Sequence, residues 1–319
     1  MISSLQLAKR CGVSQGTVDR AVHNRGGINP ETRGRILEAA EKFGYLANPA
    51  AREIMTGKSL WGGAVIPTLT SLFFSDLFET IRNELNKKGI RLLLTTAADD
   101  AETIAALRDF ASRRAKFAII VPPDDKLKIP DGISGSLPVF SLANPCSGKK
   151  VINIYPDEKG NGFKGTEYLI QKKHSRIIFL SYTRKSSAVR DRIVGYKACM
   201  TKNKLKPVVM APFDEKKLMK LCRGKNPPTA IFCHNDWLAL NAMRLLQKEG
   251  FKVPGDVSIL GIDNSPSFNM LCPGISTMEY PCREIAGMIS SAIRNQNMKI
   301  GKLPAFRIIE RETVENLFK

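Results

Sequence analysis

The sequence predicts an α/β protein: an all-α helix-turn-helix head and hinge, then a two-lobed core of doubly wound parallel sheets. Three observations predict it. From Trp61 onward, short apolar runs such as Gly63-Ala64-Val65-Ile66-Pro67 and Phe117-Ala118-Ile119-Ile120-Val121 alternate with amphipathic helical stretches. Continuous apolar strands between helices belong to a parallel sheet covered on both faces. The rhythm restarts after residue 155, so two such units follow one another, whereas residues 1–46 show helical periodicity alone.

In the head, Leu5, Ala8 and Cys11 recur at helical spacing, predicting a first helix that buries that face. Gly12 supplies a tight turn and Ser14 an N-cap for a second helix. There Val18, Ala21 and Val22 share the inward side, while Gln15, Gly16, Thr17 and Arg20 fall outward near its start. A recognition helix presents that end to base edges in the major groove. After the glycine loop His23–Ile28, Asn29 reads as an N-cap with Pro30 at the first helical position. Ile36, Ala39, Ala40 and Phe43 then form the buried face of a third helix that Gly44 ends. Residues 47–59 form a linker with a helical stretch too short to be stable alone.

The core occupies 60–319, with one lobe at about 60–155 and 284–306 and a second at about 156–283. Its predicted strands lie at 63–67, 89–95, 117–121, 138–142, 176–181, 208–210, 230–233 and 257–260. Helices lie between them, a further helix spans 281–294, and a strand at 307–311 crosses between the lobes. Ligands of such folds sit outside the carboxyl ends of the strands. The segments to watch are therefore 67–74, 144–146, 182–192, 234–237 and 262–265.

Composition bounds the function. The 319 residues carry a net charge of +19, with 49 Lys and Arg against 30 Asp and Glu. That excess suits a polyanionic partner, since every phosphate neutralised releases a counterion. Much of it lies outside the head, so charge alone supports this weakly. Seven scattered cysteines without C-x-x-C spacing indicate free thiols in a reducing cytoplasm. No secretion signal and no membrane-spanning apolar run is read.

Several blocks together resemble the lactose-repressor (LacI/GalR) family of bacterial transcription regulators. They are LAKRCGVSQGTVDRAVHN and INPETRGRILEAAEKFGY in the head, NPAAREIMTGKS in the linker, and GGAVIPTLTSLFF, RDRIVGY, TAIFCHNDWLALNAMRLLQKEGFKVPGDVSILGIDN and CPGISTMEYPCREIA in the core. Their order and spacing cover essentially the whole chain. The resemblance implies a homodimer on a pseudo-palindromic double-stranded DNA operator. It places Ser14, Gln15, Gly16, Thr17 and Arg20 on the recognition helix, and Ser3, Ser4, Asn29 and Thr32 at backbone-contacting positions. Arg20 suits a guanine, because its fork donates to O6 and N7 together; a phosphate contact is the competing role. The linker is implied to enter the minor groove with Ile54 as its wedge and Asn48, Ala51 and Arg52 beside it. This chain departs from the family's pattern with Ile54 for Leu, with Ala47 for Pro, and with Asp19 where a small hydroxyl residue is usual. Arg20 or Arg25 is the expected partner of Asp19.

The core also resembles periplasmic sugar-binding proteins, in which positions matching Arg192, Asn235 and Asp263 line the ligand. Arg, Asn and Asp at three strand ends supply the donors and acceptors that a polyol needs. Phe73, Phe74 and Trp237 are candidates for stacking, with core packing the competing role for the two phenylalanines. Asp263 could instead cap the next segment, and Asp236 reads as the cap of the helix at Trp237. The expected effector is a sugar or sugar derivative; a purine or nucleoside on the same fold is the alternative. Inducer and corepressor are both open, because the sign of the coupling is free.

Other classes fit less well. The chain has no G-x-G-x-x-G after its first strand, no P-loop, no G-x-S-x-G and no metal-ligand spacing. Neither an enzyme, a cofactor nor a bound metal is expected. Of His23, His174 and His234, only His234 falls near the cleft, and no nucleophile accompanies it. A secreted solute-binding protein would need a signal peptide and would lack the head. No leucine heptad that could zip dimers into a tetramer follows the last strand.

Overall fold

The computed structural model describes residues 2–46, 59–123, 126–183, 186–268, 272–295 and 303–317. The chain divides into two units, Met1–Lys58 and Ser59–Lys319.

The first unit holds α1 (Ser4–Cys11), α2 (Gln15–Val22) and α3 (Pro30–Lys42). Its local chemistry is consistent at every helix end. Ser3 and Gln6 form a reciprocal capping box on α1. Gly12, at φ 63°, takes the left-handed conformation that ends α1 and turns the chain into α2. Asn29 caps α3, which opens with Pro30. A small core of Leu7, Ala8, Cys11, Val18, Ala21, Ile36 and Ala40 joins the three helices. Leu5 is a correction to the predicted face: it is 54% exposed, and Leu7 is buried in its place. At about 100° per residue Leu7, Cys11 and Ala8 fall within one arc of about 100°, while Leu5 lies outside it, about 160° from Leu7.

The second unit contains two sheets. The first has the order β2-β1-β3-β4-β5 and is parallel throughout. Its strands are β1 (Trp61–Ile66), β2 (Arg91–Thr96), β3 (Ala118–Ile120), β4 (Val139–Leu142) and β5 (Val151–Ile154). Helices α4 (Leu72–Asn86), α5 (Asp100–Ser112) and the short α6 (Asp131–Ser134) connect them. Trp61 packs edge-on against Phe110 of α5, as a core residue. The second sheet has the order β11-β10-β9-β8-β6-β7, parallel except for β11 against β10. Its strands are β6 (Ile177–Leu180), β7 (Val208–Met210), β8 (Ala230–Cys233), β9 (Ser258–Asp263), β10 (Ser276–Glu279) and β11 (Arg307–Ile309). Helices α7 (Glu158–Gln171), α8 (Ser187–Lys202), α9 (Glu215–Cys222), α10 (Asp236–Lys248) and α11 (Cys282–Asn295) complete it.

Two strands, β5 and β10, fall where no strand was predicted. The chain crosses between the lobes three times: after β5 into α7, after β10 into α11, which packs on α4, and before β11. The final strand thus returns to pair with β10.

One close approach organises the second lobe. A Cβ on Gly162 of α7 would strike the Arg192 carbonyl of α8, and one on Gly195 of α8 would strike the Lys159 carbonyl of α7. The two glycines therefore let these helices touch backbone to backbone. That contact brings the first turn of α7 alongside the middle of α8.

Candidate functional sites

On the head, Val18 and Ala21 of α2 are buried, which leaves Gln15, Gly16 and Arg20 exposed and Thr17 half-buried. Ser14 caps the helix by accepting from the Thr17 amide at 3.1 Å, with its hydroxyl 2.9 Å from the Thr17 hydroxyl. Gln15 donates to the Ser4 hydroxyl at 2.6 Å, joining the starts of α1 and α2. Ser3 and Asn29 commit their side-chain oxygens to the caps of α1 and α3. What these two ends offer a phosphate is therefore chiefly backbone amide. Thr32 is half-buried in the first turn of α3.

Asp19 is paired: Arg25 lies 2.9 Å and His23 3.4 Å from its carboxylate. Arg20 makes no ion pair among the described residues, so its guanidinium stays available on the outward face. Asn48, Ala51, Arg52 and Ile54 lie outside the described residues.

In the core, a cavity of about 400 Å³ opens at the carboxyl ends of the strands. Thr68, Thr70, Ser71, Leu72 and Phe73 line it from the first lobe; Asn235, Trp237, Asp263, Ser265 and Phe268 line it from the second. A more open hollow of about 650 Å³ lies elsewhere, lined only by the contiguous segment Val209–Lys217. One segment bending around itself brings no convergent groups together, so the interlobe cavity is the better candidate.

Four predicted effector residues, Phe73, Asn235, Trp237 and Asp263, share this cavity. Trp237 is 52% exposed and stacks on Phe268, with centroids 6.3 Å apart and planes at 30°. Phe73 meets Tyr280 edge-to-face at 4.9 Å. Asn235 is the N-cap of α10, its Oδ1 accepting from the Leu238 amide at 2.9 Å, which corrects the assignment of that cap to Asp236. Asp236 is instead buried, accepting from the Thr277 hydroxyl at 2.6 Å and the Ser265 amide at 3.3 Å. It fastens α10 to β10 and to the loop after β9.

Two predicted effector residues are not on the cavity wall. Phe74 packs against the main core, as Phe73 also does, but only Phe73 reaches the cavity wall. Arg192 is 6% exposed and locked to Glu158, its Nε and Nη2 donating to the carboxylate at 2.6 and 2.8 Å. Its Nη1 donates to the His234 carbonyl at 2.6 Å. Burial works against the Arg192 charge, but Glu158 outweighs it and holds the guanidinium pKa above its ordinary value. Burial first, then the Arg192 charge, push His234 down to about 3, so its imidazole is neutral at physiological pH and a weak proton acceptor.

Asp263 closes β9 at φ 125° and Asn264 follows at φ 54°, both in the region that side chains rarely adopt. Two such residues in succession turn the carboxylate toward the cavity at a conformational cost. Burial, with Asp236 next in effect, raises the proton affinity of Asp263 well above that of an ordinary carboxyl group. Tyr280, between β10 and α11, is 4% exposed, and its buried hydroxyl has no hydrogen-bond partner among the described residues.

Glu158, Phe268 and Tyr280 were missed from the sequence, whereas Ser265 closes the predicted segment 262–265. Glu158 lies 34 residues from Arg192, and only the glycine contact of α7 and α8 unites them. No helix among the described residues is long and apolar enough to cross a membrane.

Comparison with known proteins places both units. Residues 6–48 match the family model for bacterial regulatory proteins of the lacI family, and residues 166–314 match that of the periplasmic binding protein-like domain. The HTH-type transcriptional repressor PurR of Vibrio parahaemolyticus is 25% identical over 302 residues, spanning 89% of both chains. The repressor CytR of Escherichia coli is 26% identical over 290 residues, covering 88% of this chain and 85% of the relative. The lac repressor dimer, solved on its operator with the anti-inducer ONPF, superposes with a TM-score of 0.81 at 21% identity, over 98% of this chain and 99% of that one.

Proposed function

We propose, for a chain that belongs to the lacI family of bacterial regulatory proteins and is a DNA-binding transcriptional regulator, that a sugar-like effector in the interlobe cavity switches its operator affinity. The observation that carries this is the cavity itself. Residues from both lobes line it, with polar groups from Asn235, Asp263, Thr68 and Thr70 set beside the apolar faces of Phe73, Trp237 and Phe268. A pyranose offers both hydroxyls and an apolar ring face, and a site of this composition meets both. A ligand that touches both lobes favours one degree of closure, and the coupling passes through residues 47–58 to the DNA-reading head.

On the DNA side, Gln15, Thr17 and Arg20 of α2 read bases, with Ser14 and Gly16 at the same end of the helix, while Ser3, Ser4, Asn29 and Thr32 contact the backbone. Arg20 is the reader of a guanine. Asn48, Ala51, Arg52 and Ile54 act in the minor groove. The protein works in the cytoplasm as a homodimer. Support for a second copy comes from the edge strand β2, where Leu93 and Leu94 are 50% and 37% exposed. Apolar side chains on an unpaired edge call for a covering surface.

Selection of binding sites from random duplexes by the full chain tests the reading. The expected outcome is a pseudo-palindrome, with Arg20→Ala costing about 1–3 kcal/mol on it and little on random DNA. Equal loss on both would make Arg20 a phosphate contact, and failure to enrich any sequence would overturn specific recognition.

A further inference from the structure

Around Asp263 the structure gathers four carboxylates from four elements: Asp76 on α4, Glu158 on α7, Asp236 on α10 and Asp263 itself. Three are satisfied. Glu158 grips Arg192 through two bonds, Asp236 accepts from Thr277 and Ser265, and Asp76 accepts from the Ser265 hydroxyl. Asp263 makes no side-chain hydrogen bond or ion pair among the described residues, and it is the one of the four that lines the cavity. Arg192, the cation among them, is already neutralised by Glu158.

A second observation points to a ligand at this place. The buried Tyr280 hydroxyl, without a partner, interacts electrostatically with Asp263, Glu158 and Arg192. The Tyr280 ring packs on Phe73 of the cavity wall, and Trp237 and Phe268 set aromatic faces on that wall. An aromatic wall beside a carboxylate is the arrangement that recognises ammonium groups, since ring faces are electron-rich.

We propose that the effector carries a protonated nitrogen, seated against the Asp263 carboxylate beside Trp237 and Phe268, and carries no phosphate or carboxylate group. This rests on the cavity being the effector site. An anion would meet the Asp263 carboxyl group, with three further acidic groups behind it, and no guanidinium on the cavity wall, whereas a cation complements Asp263. An amino sugar satisfies the polyol-binding groups and Asp263 together. In the empty site, burial and the acidic neighbours raise the proton affinity of Asp263. An ammonium ion seated there favours the ionised carboxylate, so binding lowers the proton affinity of Asp263 and releases protons to solvent. The groups facing Asp263 in this exchange are Asp76, Glu158, Arg192, Asp236, Tyr280 and Cys282, of which burial keeps the Cys282 thiol neutral with a pKa of about 12.

The test is isothermal titration of the full chain with matched probes. These are glucose, galactose and mannose, their 2-amino and N-acetylamino forms, their 6-phosphates, and adenine, adenosine and cytidine. The expected result is binding of an amino form at least about tenfold tighter than its neutral parent, the equivalent of one pK unit. Proton release should show as buffer-dependent heat, the phosphates should be silent, and Asp263→Asn should lose the preference while unfolding at no lower temperature. Tightest binding by a neutral or phosphorylated probe, or an undiminished amine preference in Asp263→Asn, overturns the cation reading and leaves the effector site standing. Silence from every probe overturns both.

Discussion

Ser187, the first residue of α8, donates its hydroxyl to Asn144 Oδ1 at 2.9 Å, and the two residues belong to different lobes. Asn144 is 6% exposed and held from behind by its own amide, which donates to the Pro122 carbonyl at 2.9 Å. A second bond of this kind runs from the Ser265 hydroxyl to Asp76, again across the lobes. Both lie beyond the carboxyl ends of strands, and Ser265 is on the cavity wall. Bonds that join the two lobes bear on their closure.

Ser187→Ala removes one interlobe bond and leaves Asn144 anchored to Pro122 and bonded at 3.4 Å by the Ser186 hydroxyl. One hydrogen bond is worth about 0.5–1.5 kcal/mol net, a factor of roughly 2–13 in an opening equilibrium. Amide exchange should accelerate by that factor at residues 142–144 and 186–190, and stay unchanged in the helices of the head. Unaltered exchange at both segments would mean that this bond does not hold the lobes together.

Glu158→Gln leaves the Arg192 guanidinium buried against a neutral amide. Breaking one side of a buried ion pair costs about 3–5 kcal/mol, because the surviving charge is uncompensated. Urea unfolding of the full chain should show that loss, and the double substitution Glu158→Gln with Arg192→Met should recover much of it. A loss under about 1 kcal/mol would show the pair to be dispensable.

Much of the architecture was legible because it is written in local periodicity. The apolar runs at Ala64–Ile66, Ala118–Ile120 and Ala230–Cys233 are buried strands, and Ser14, Gly12 and Asn29 cap or end helices as their chemistry requires. Strand β10 escaped because its Ser276 and Thr277 break the apolar run; both are buried and bonded, to Arg311 and Asp236. The site was half legible. Residue types at strand ends pointed to Asn235, Trp237 and Asp263, but which groups remain free is a long-range matter. Glu158 takes Arg192 out of the cavity wall, and nothing in the spacing of the two announces it.

Asp263→Asn should stabilise the empty core at alkaline pH. Burial raises Asp236 from 3.8 to about 7, and raises Asp263 as well. For a carboxyl group raised by folding, the stability present below the unfolded pKa is lost as pH climbs through the folded value. The wild type therefore loses stability between about pH 4 and 7 on account of Asp236, and further as Asp263 ionises. Asparagine removes one of these charges and relieves the other, and it tolerates positive φ better than most residues. The melting temperature of the variant should exceed that of the wild type at pH 8 by about 2–4 °C for each kcal/mol recovered, and the gap should close on acidification. A gap that widens toward low pH would reverse the sign of this argument.

Asp19 sits on α2, the proposed recognition helix, and occupies Arg25 at 2.9 Å. In Asp19→Asn the carboxylate no longer opposes the phosphates, and the Arg25 guanidinium, 45% exposed, is released to contact one. Each added phosphate contact steepens the dependence of log K on log salt by about 0.9. Operator affinity of the variant, measured by fluorescence anisotropy across a salt series, should rise at low salt with a slope steeper by about that amount. The gain should appear on random DNA too, because phosphate contacts carry no sequence information. A slope equal to that of the wild type, with affinity lost on the operator alone, would instead make Asp19 a reader of bases, accepting from a cytosine amino group.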